Sequence, residues 1–143
     1  MMVNRKYWLA VVGRAQKESE FLTQGWWCVQ SEAQEGDRLL AYRTQNSGKN
    51  HGIFALCEVM SKPDPQHENA SFCTPYGKQS GELFFTKIRL LKEFSTRLGL
   101  QEIKTDPLLN KLSCVVRNFQ GTTFELPETG FIHILELLGE KIK

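Results

Sequence analysis

Apolar positions along the chain fall into short separated runs, and their spacing changes from one run to the next. Tyr7 to Val12 is aromatic and aliphatic throughout and is followed by Gly13, which predicts a first strand buried on both faces. From Arg14 to Gln24, Ala15, Glu18, Phe21 and Leu22 recur at helical spacing and Gly25 supplies a stop, so a helix is expected there. Gly25-Trp26-Trp27-Cys28-Val29 suits neither an amphipathic helix nor a solvent loop. Adjacent side chains of an extended segment point to opposite sides, so one indole is expected in the core and the other elsewhere.

Glu35-Gly36-Asp37 is a turn signal that leads into Arg38 to Thr44, whose apolar centre and polar ends suit a second strand. Gln45 to Asn50 reads as a polar hairpin loop, and Gly52 to Met60, apolar almost throughout, as a third strand central in the sheet. Ser61 to Gly81 holds three of the five prolines and is polar apart from Phe72 and Tyr76. It reads as a long irregular loop, a feature that in a compact domain is often functional.

Glu82 to Phe94 alternates as a long strand, with Phe84, Thr86, Ile88 and Leu90 on one face. Asp106-Pro107 opens a short helix through Leu112, and Val115 to Phe119 and Thr122 to Leu126 read as short strands. Pro127 starts an amphipathic last helix through Phe131, Ile134, Leu135 and Leu138, closed by Gly139. Consecutive strands outnumber the helices that could cross between them. An α+β fold follows: a curved, mostly antiparallel sheet or small barrel with flanking helices, within a single domain spanning 1–143.

Composition narrows the partners. A chain of 143 residues with 41% hydrophobic residues buries one substantial core. Lys and Arg number 18 against 16 Asp and Glu, and cutting after Leu83 leaves nine basic residues on each side. Neither half carries the concentrated positive charge needed to grip long duplex DNA, although a local basic rim is allowed. No apolar run approaches the length of a membrane span, and no signal-peptide stretch follows Arg5-Lys6, so a cytoplasmic protein without membrane partners is expected.

Cys28, Cys57, Cys73 and Cys114 are widely spaced, offer no CxxC knuckle for zinc, and are expected as reduced, packed thiols. His51, His67 and His133 are scattered, no HExxH or GxSxG spacing occurs, and no Gly-rich phosphate loop is present. Neither catalysis, a metal nor a cofactor is therefore expected.

Six pieces in order resemble the EVE family of the PUA-like superfamily, related to the YTH domains. They are Tyr7-Trp8-Leu9, Trp27-Cys28-Val29, Glu35-Gly36-Asp37-Arg38-Leu39, the strand from Gly52-Ile53 to Glu58-Val59, Pro107 to Leu112, and Leu126-Pro127-Glu128 with Phe131. The chain departs from the family in having Cys28 where glycine follows the pocket tryptophan. It also has Arg117-Asn118-Phe119-Gln120 where a basic run with Trp is common. The resemblance implies a non-catalytic reader that takes one modified base of DNA or RNA into an aromatic pocket. Restriction or other defence proteins are the partners it suggests.

A planar base stacks on aromatic faces for about 1 to 3 kcal/mol and is told apart by hydrogen bonds to its edge. On this reading Trp27 is one pocket wall, with a plain core residue as the alternative. Cys28 presents its backbone N–H and weakly its thiol, and Tyr76 or Phe72 supplies the second wall. Val12, Gly13 and Arg14, at the end of the first strand, match the place where related readers contact the base. Asn118 reads a base edge and Arg117 holds a phosphate, or both are a solvated strand edge. Two other functions use the same residues: a sensor of free nucleoside-like ligands or a protein-interaction domain, and, more remotely, a base-modifying enzyme with Cys28 as nucleophile.

Overall fold

The computed structural model describes residues 5–12, 21–23, 25–44, 51–64, 84–116 and 123–139. Six strands form one sheet in the order β2-β5-β4-β3-β1-β6: β1 (Tyr7–Val12), β2 (Trp26–Val29), β3 (Arg38–Arg43), β4 (Gly52–Val59), β5 (Phe84–Leu98) and β6 (Thr123–Leu126). Among the described residues the β1–β3 pairing is parallel and the other four pairings are antiparallel. The edges β2 and β6 are bridged by side chains. Thr123 donates its hydroxyl to the Cys28 carbonyl, and the Gln30 amide donates to the Thr123 carbonyl at 3.0 Å. A twisted sheet whose two edges meet in this way is a nearly closed barrel.

The expected double burial of the first strand is explained by two cores. Trp8, Ala10 and Val12 of β1 point into the barrel with Leu39 and Ala41 of β3, Ala55 and Cys57 of β4 and Trp27 of β2. The alternate residues Leu9, Val11, Leu40 and Tyr42 point outward, where helices cover them. These helices are α1 (Leu100–Thr105), a 3-10 turn (Leu109–Lys111), α2 (Ser113–Val116) and α3 (Glu128–Leu137). Tyr7 stacks on Phe131 at 4.3 Å between centroids and donates its hydroxyl to Glu128 at 3.2 Å, which fixes α3 against β1.

The turn at Gly36-Asp37 is a structural anchor. Asp37 is 1% exposed, and its carboxylate accepts from the Trp8 indole at 2.9 Å, the Lys6 backbone at 3.0 Å and the Gln34 backbone at 2.8 Å. A carboxylate with three donors is held without leaving a buried charge unsolvated. The same residue ties the entries of β1 and β3, so it sets the parallel register that ends at Val12 opposite Arg43.

One open segment is assigned and two expectations are corrected. The Trp26-Trp27 segment, left unassigned by its composition, is strand β2. Val115, read as the start of a strand, is helical: the Val115 and Val116 amides both donate to the Leu112 carbonyl at 3.0 Å, burying Cys114 and Val115 under the helix layer. The β-branched pair favours a strand locally, and helix-layer packing overrides that preference. The fourth strand of the sequence reading runs on to Leu98, and Leu90, expected on the same face as Ile88, is 40% exposed where Ile88 is buried, beside a shift in the β4–β5 register. The expected loop at 45–50 and all but the first residues of the expected loop at 61–81 lie outside the described residues.

Candidate functional site

An aromatic group fills one side of the barrel interior. Trp27, on β2, meets the ring of Phe21 edge-on at 4.9 Å between centroids, and Phe21 meets Phe54 at 5.9 Å in the same manner. The Arg97 guanidinium lies over Phe54 at 5.2 Å from the ring centre. Strand alternation explains the two indoles: Trp27 points inward and is 5% exposed, whereas Trp26 is half-buried. Phe21 belongs to the helical residues 21–23, so a short segment ahead of β2 brings its ring to the side of Trp27.

Of the expected site residues, the described part of the structure includes Val12, Trp27 and Cys28. Val12 is fully buried in the same interior cluster as Trp27, and its carbonyl accepts from the Thr44 amide at 3.3 Å. Cys28 is buried on the opposite face of β2 from Trp27, and it is disulfide-bonded. That overturns the expectation of a reduced thiol there: a bonded sulfur has no S–H to offer a base edge and no thiolate to act as nucleophile. Cys57 and Cys114 are free, and burial pushes both thiols up to about 12, so they stay protonated and unreactive. Gly13, Arg14, Phe72, Tyr76, Arg117 and Asn118 lie outside the described residues.

A cavity of about 700 Å³ opens between Lys6, Gln34, Lys62, Pro63 and Phe84, and among the described residues Val12, Trp27 and Cys28 are not part of its lining. Around it the charges are mixed, with Glu32 and Glu35 beside the two lysines. Further along the sheet, Glu58 accepts from Arg38 at 3.1 Å and Arg89 at 2.5 Å. The Arg89 hydrogen bond chiefly holds its carboxyl below the usual range, opposed by burial and reinforced by Arg38. This is a structural carboxylate paired with two guanidinium groups, whose lowering outweighs the effect of burial and keeps it from acting as a general acid. Among the described residues no group of three His, Cys, Asp or Glu is placed to hold a metal ion, and no helix is long and apolar enough to cross a membrane.

Sequence reasoning passed over Phe21, Phe54 and Arg97 as site residues. The first two read as ordinary core positions of a helix and a strand, and only the barrel closure brings them to Trp27. Nothing in the sequence signals that a residue 70 positions after Trp27 caps the same group.

A nearly closed six-stranded barrel with helices on its outer face, built around an inward tryptophan on β2, is the architecture of a PUA-like domain. The sequence pattern of the EVE domain matches residues 6–137, and the chain belongs to that family. Its fold is shared with a hypothetical protein from Leishmania major, at TM-score 0.72 and 16% identity over 95% of this chain and 96% of that one. Human THYN1 in complex with 5-methylcytosine-containing DNA superimposes with TM-score 0.71 at 14% identity, over 96% of this chain and 99% of that solved chain. The Toxoplasma CPSF4 YTH domain in complex with an m6A-modified 7-mer RNA gives 0.58 at 16% identity, over 97% and 94%. No curated protein matches the chain in sequence.

Proposed function

We propose that this chain is a non-catalytic reader that takes one modified base of DNA or RNA into an aromatic pocket walled by Trp27. The observation that carries the reading is the inward indole of Trp27 within a barrel of the same fold as two domains solved with methylated DNA and methylated RNA. A base drawn from its strand is flat and weakly charged, and an aromatic wall contributes about 1 to 3 kcal/mol by stacking. A methyl group adds roughly 0.8 kcal/mol when buried, enough to favour the modified base about fourfold before any polar contact.

Phe21 supports Trp27 by an edge contact that fixes the indole plane, as a stacking wall requires. Cys28 contributes its backbone rather than its sulfur, and Val12 supplies apolar contact from the end of β1. Tyr76 or Phe72 is the second wall, Gly13, Arg14 and Asn118 complete the pocket, and Arg117 holds a phosphate.

Trp27→Phe is the informative variant. Removing the indole altogether from a position 5% exposed costs about 3 to 5 kcal/mol of stability, which would mix unfolding with impaired binding. Titration with oligonucleotides carrying 5-methylcytosine or N6-methyladenine, each against its unmodified twin, tests the reading. Preference for one modified strand, weakened at least threefold in Trp27→Phe with the melting profile retained, is expected. Equal affinity for modified and unmodified strands would overturn it.

A further inference from the structure

We propose that the cavity of about 700 Å³ between Lys6, Gln34, Lys62, Pro63 and Phe84 is a second ligand site, which takes a nucleoside monophosphate whose base carries an exocyclic amino group. It is separate from the base-reading pocket and does not depend on it.

The lining comes from four places in the sequence that meet at one end of the barrel. Lys6 directly precedes β1, Ser31 to Glu35 lie between β2 and β3, Lys62 and Pro63 follow β4, and Phe84 opens β5. At this end β1, β3 and β5 begin and β2 and β4 finish, whereas Val12 closes β1 at the other end, about 20 Å from Lys6 along the strand. Hydrogen bonds within the fold hold these walls. Asp37 accepts from the Lys6 and Gln34 amides at 3.0 and 2.8 Å, the Ala33 amide donates to the Gln30 carbonyl at 3.0 Å, and the Gly36 amide donates to the Val59 carbonyl at 2.8 Å. Ser61, next to Lys62, accepts from the Thr86 hydroxyl at its carbonyl, at 2.8 Å, and from the Lys87 amide at its hydroxyl, at 3.0 Å, which fixes the exit of β4 against the start of β5. A cavity framed in this way is formed before a ligand arrives, and its volume falls within the range of about 300 to 1,000 Å³ usual for small-molecule sites.

Three kinds of contact line it. Phe84 and Pro63 are half-buried, and rings left partly open on a cavity bind a planar heterocycle by stacking. Lys6 is half-buried and Lys62 exposed, and among the described residues neither ammonium makes a hydrogen bond or an ion pair. Two lysines without partners on one cavity suit a phosphate monoester, which carries about two negative charges near neutral pH. Glu32 and Glu35 are exposed on the same lining and are likewise without partners among the described residues. A carboxylate accepts from an exocyclic amino group such as that of cytosine, and the Gln34 amide offers both a donor and an acceptor to the rest of a base edge. The two signs of charge together set the ligand class. Carboxylates beside the lysines repel the successive phosphates of a strand, and a ligand with an amino group alone would leave both lysines uncompensated. A phosphate monoester also occurs at the 5′ end of a strand, and the experiment separates that source from the free nucleotide.

Calorimetric titration of the full chain compares CMP, UMP, cytidine and inorganic phosphate, and a 5′-phosphorylated 7-mer DNA with its unphosphorylated twin. CMP should bind about tenfold tighter than cytidine and several-fold tighter than UMP or phosphate, and the two 7-mers should bind alike. Lys6→Met and Lys62→Met should each weaken CMP several-fold and leave cytidine unchanged. Glu32→Gln combined with Glu35→Gln should abolish the preference for CMP over UMP. Lys62, Glu32 and Glu35 are exposed, so these variants should keep the parent melting profile, and Lys62→Met should keep any selectivity for modified strands. CMP affinity no greater than that of cytidine or UMP, or unaltered in the double Met variant, would overturn the proposal. Tighter binding of the phosphorylated 7-mer than of its twin, lost in the double Met variant, would also overturn it by assigning the cavity to strand ends. Failure of the parent to select modified strands would remove the base reader and leave this site standing.

Discussion

Replacing Asp37 with Asn tests whether the buried carboxylate, rather than turn geometry alone, holds the barrel register. In the parent, one side chain 1% exposed accepts from three donors, the Trp8 indole and the Lys6 and Gln34 amides, at 2.8 to 3.0 Å. Asn has the same shape but one acceptor oxygen, so its NH2 must face at least one of those N–H groups. Each hydrogen bond to a charged acceptor contributes about 1.5 to 3 kcal/mol, and a stranded buried donor costs about 1 to 3 kcal/mol. Breaking one of the three hydrogen bonds and weakening the other two destabilises the fold by about 2 to 4 kcal/mol. A chain of 143 residues has an unfolding entropy near 0.3 kcal/mol/K at its midpoint, so Tm should fall by about 7 to 13 °C in calorimetry at neutral pH. A fall of less than about 3 °C would show that the three hydrogen bonds carry little net energy and that backbone pairing alone sets the register.

Gly52→Ala should lower Tm by several degrees in the same assay, because the added carbon meets the Leu98 carbonyl at 2.8 Å and φ is +114°; an unchanged Tm would refute the close approach of β5. The His133 hydrogen bond chiefly, with backbone N–H groups of Leu109 and Leu108, holds the Asp106 carboxyl below its ordinary value. A carboxyl with a lowered folded pKa stabilises fully above its unfolded value near 4 and loses that contribution as pH falls through the folded value. Asp106→Asn should therefore flatten the acid side of the stability curve below about pH 4, read from urea midpoints; parallel curves would refute it. Iodoacetamide at pH 8 should label neither Cys57 nor Cys114 in the folded protein and both in urea, whereas Cys28 should need a reductant as well, all read by peptide mass. Labelling of Cys57 or Cys114 in the folded protein, or of Cys28 without reductant, would contradict this arrangement.

Much of the fold was legible in the chain. The runs at Tyr7–Val12, Arg38–Arg43 and Gly52–Val59 and the helical spacing from Glu128 are local signals, carried by side-chain periodicity that backbone geometry enforces. Trp27 as the inward indole was half legible: alternation requires that one of two adjacent rings enter the core and leaves open which. The strand reading of Val115 failed because four residues carry too little periodicity to outweigh β-branched preference.

Amino-acid order alone determined an α+β chain with a doubly buried first strand, a Gly-Asp turn and a helix laid on the sheet at its end. Those features depend on residues close in sequence. Tertiary structure decided that the turn's carboxylate reaches back to Trp8, that Phe21 and Phe54 join Trp27, and that the Arg97 guanidinium lies over Phe54. Such contacts arise from strand order and register, which place distant residues side by side through backbone pairing, and no local spacing encodes which distant residues those are.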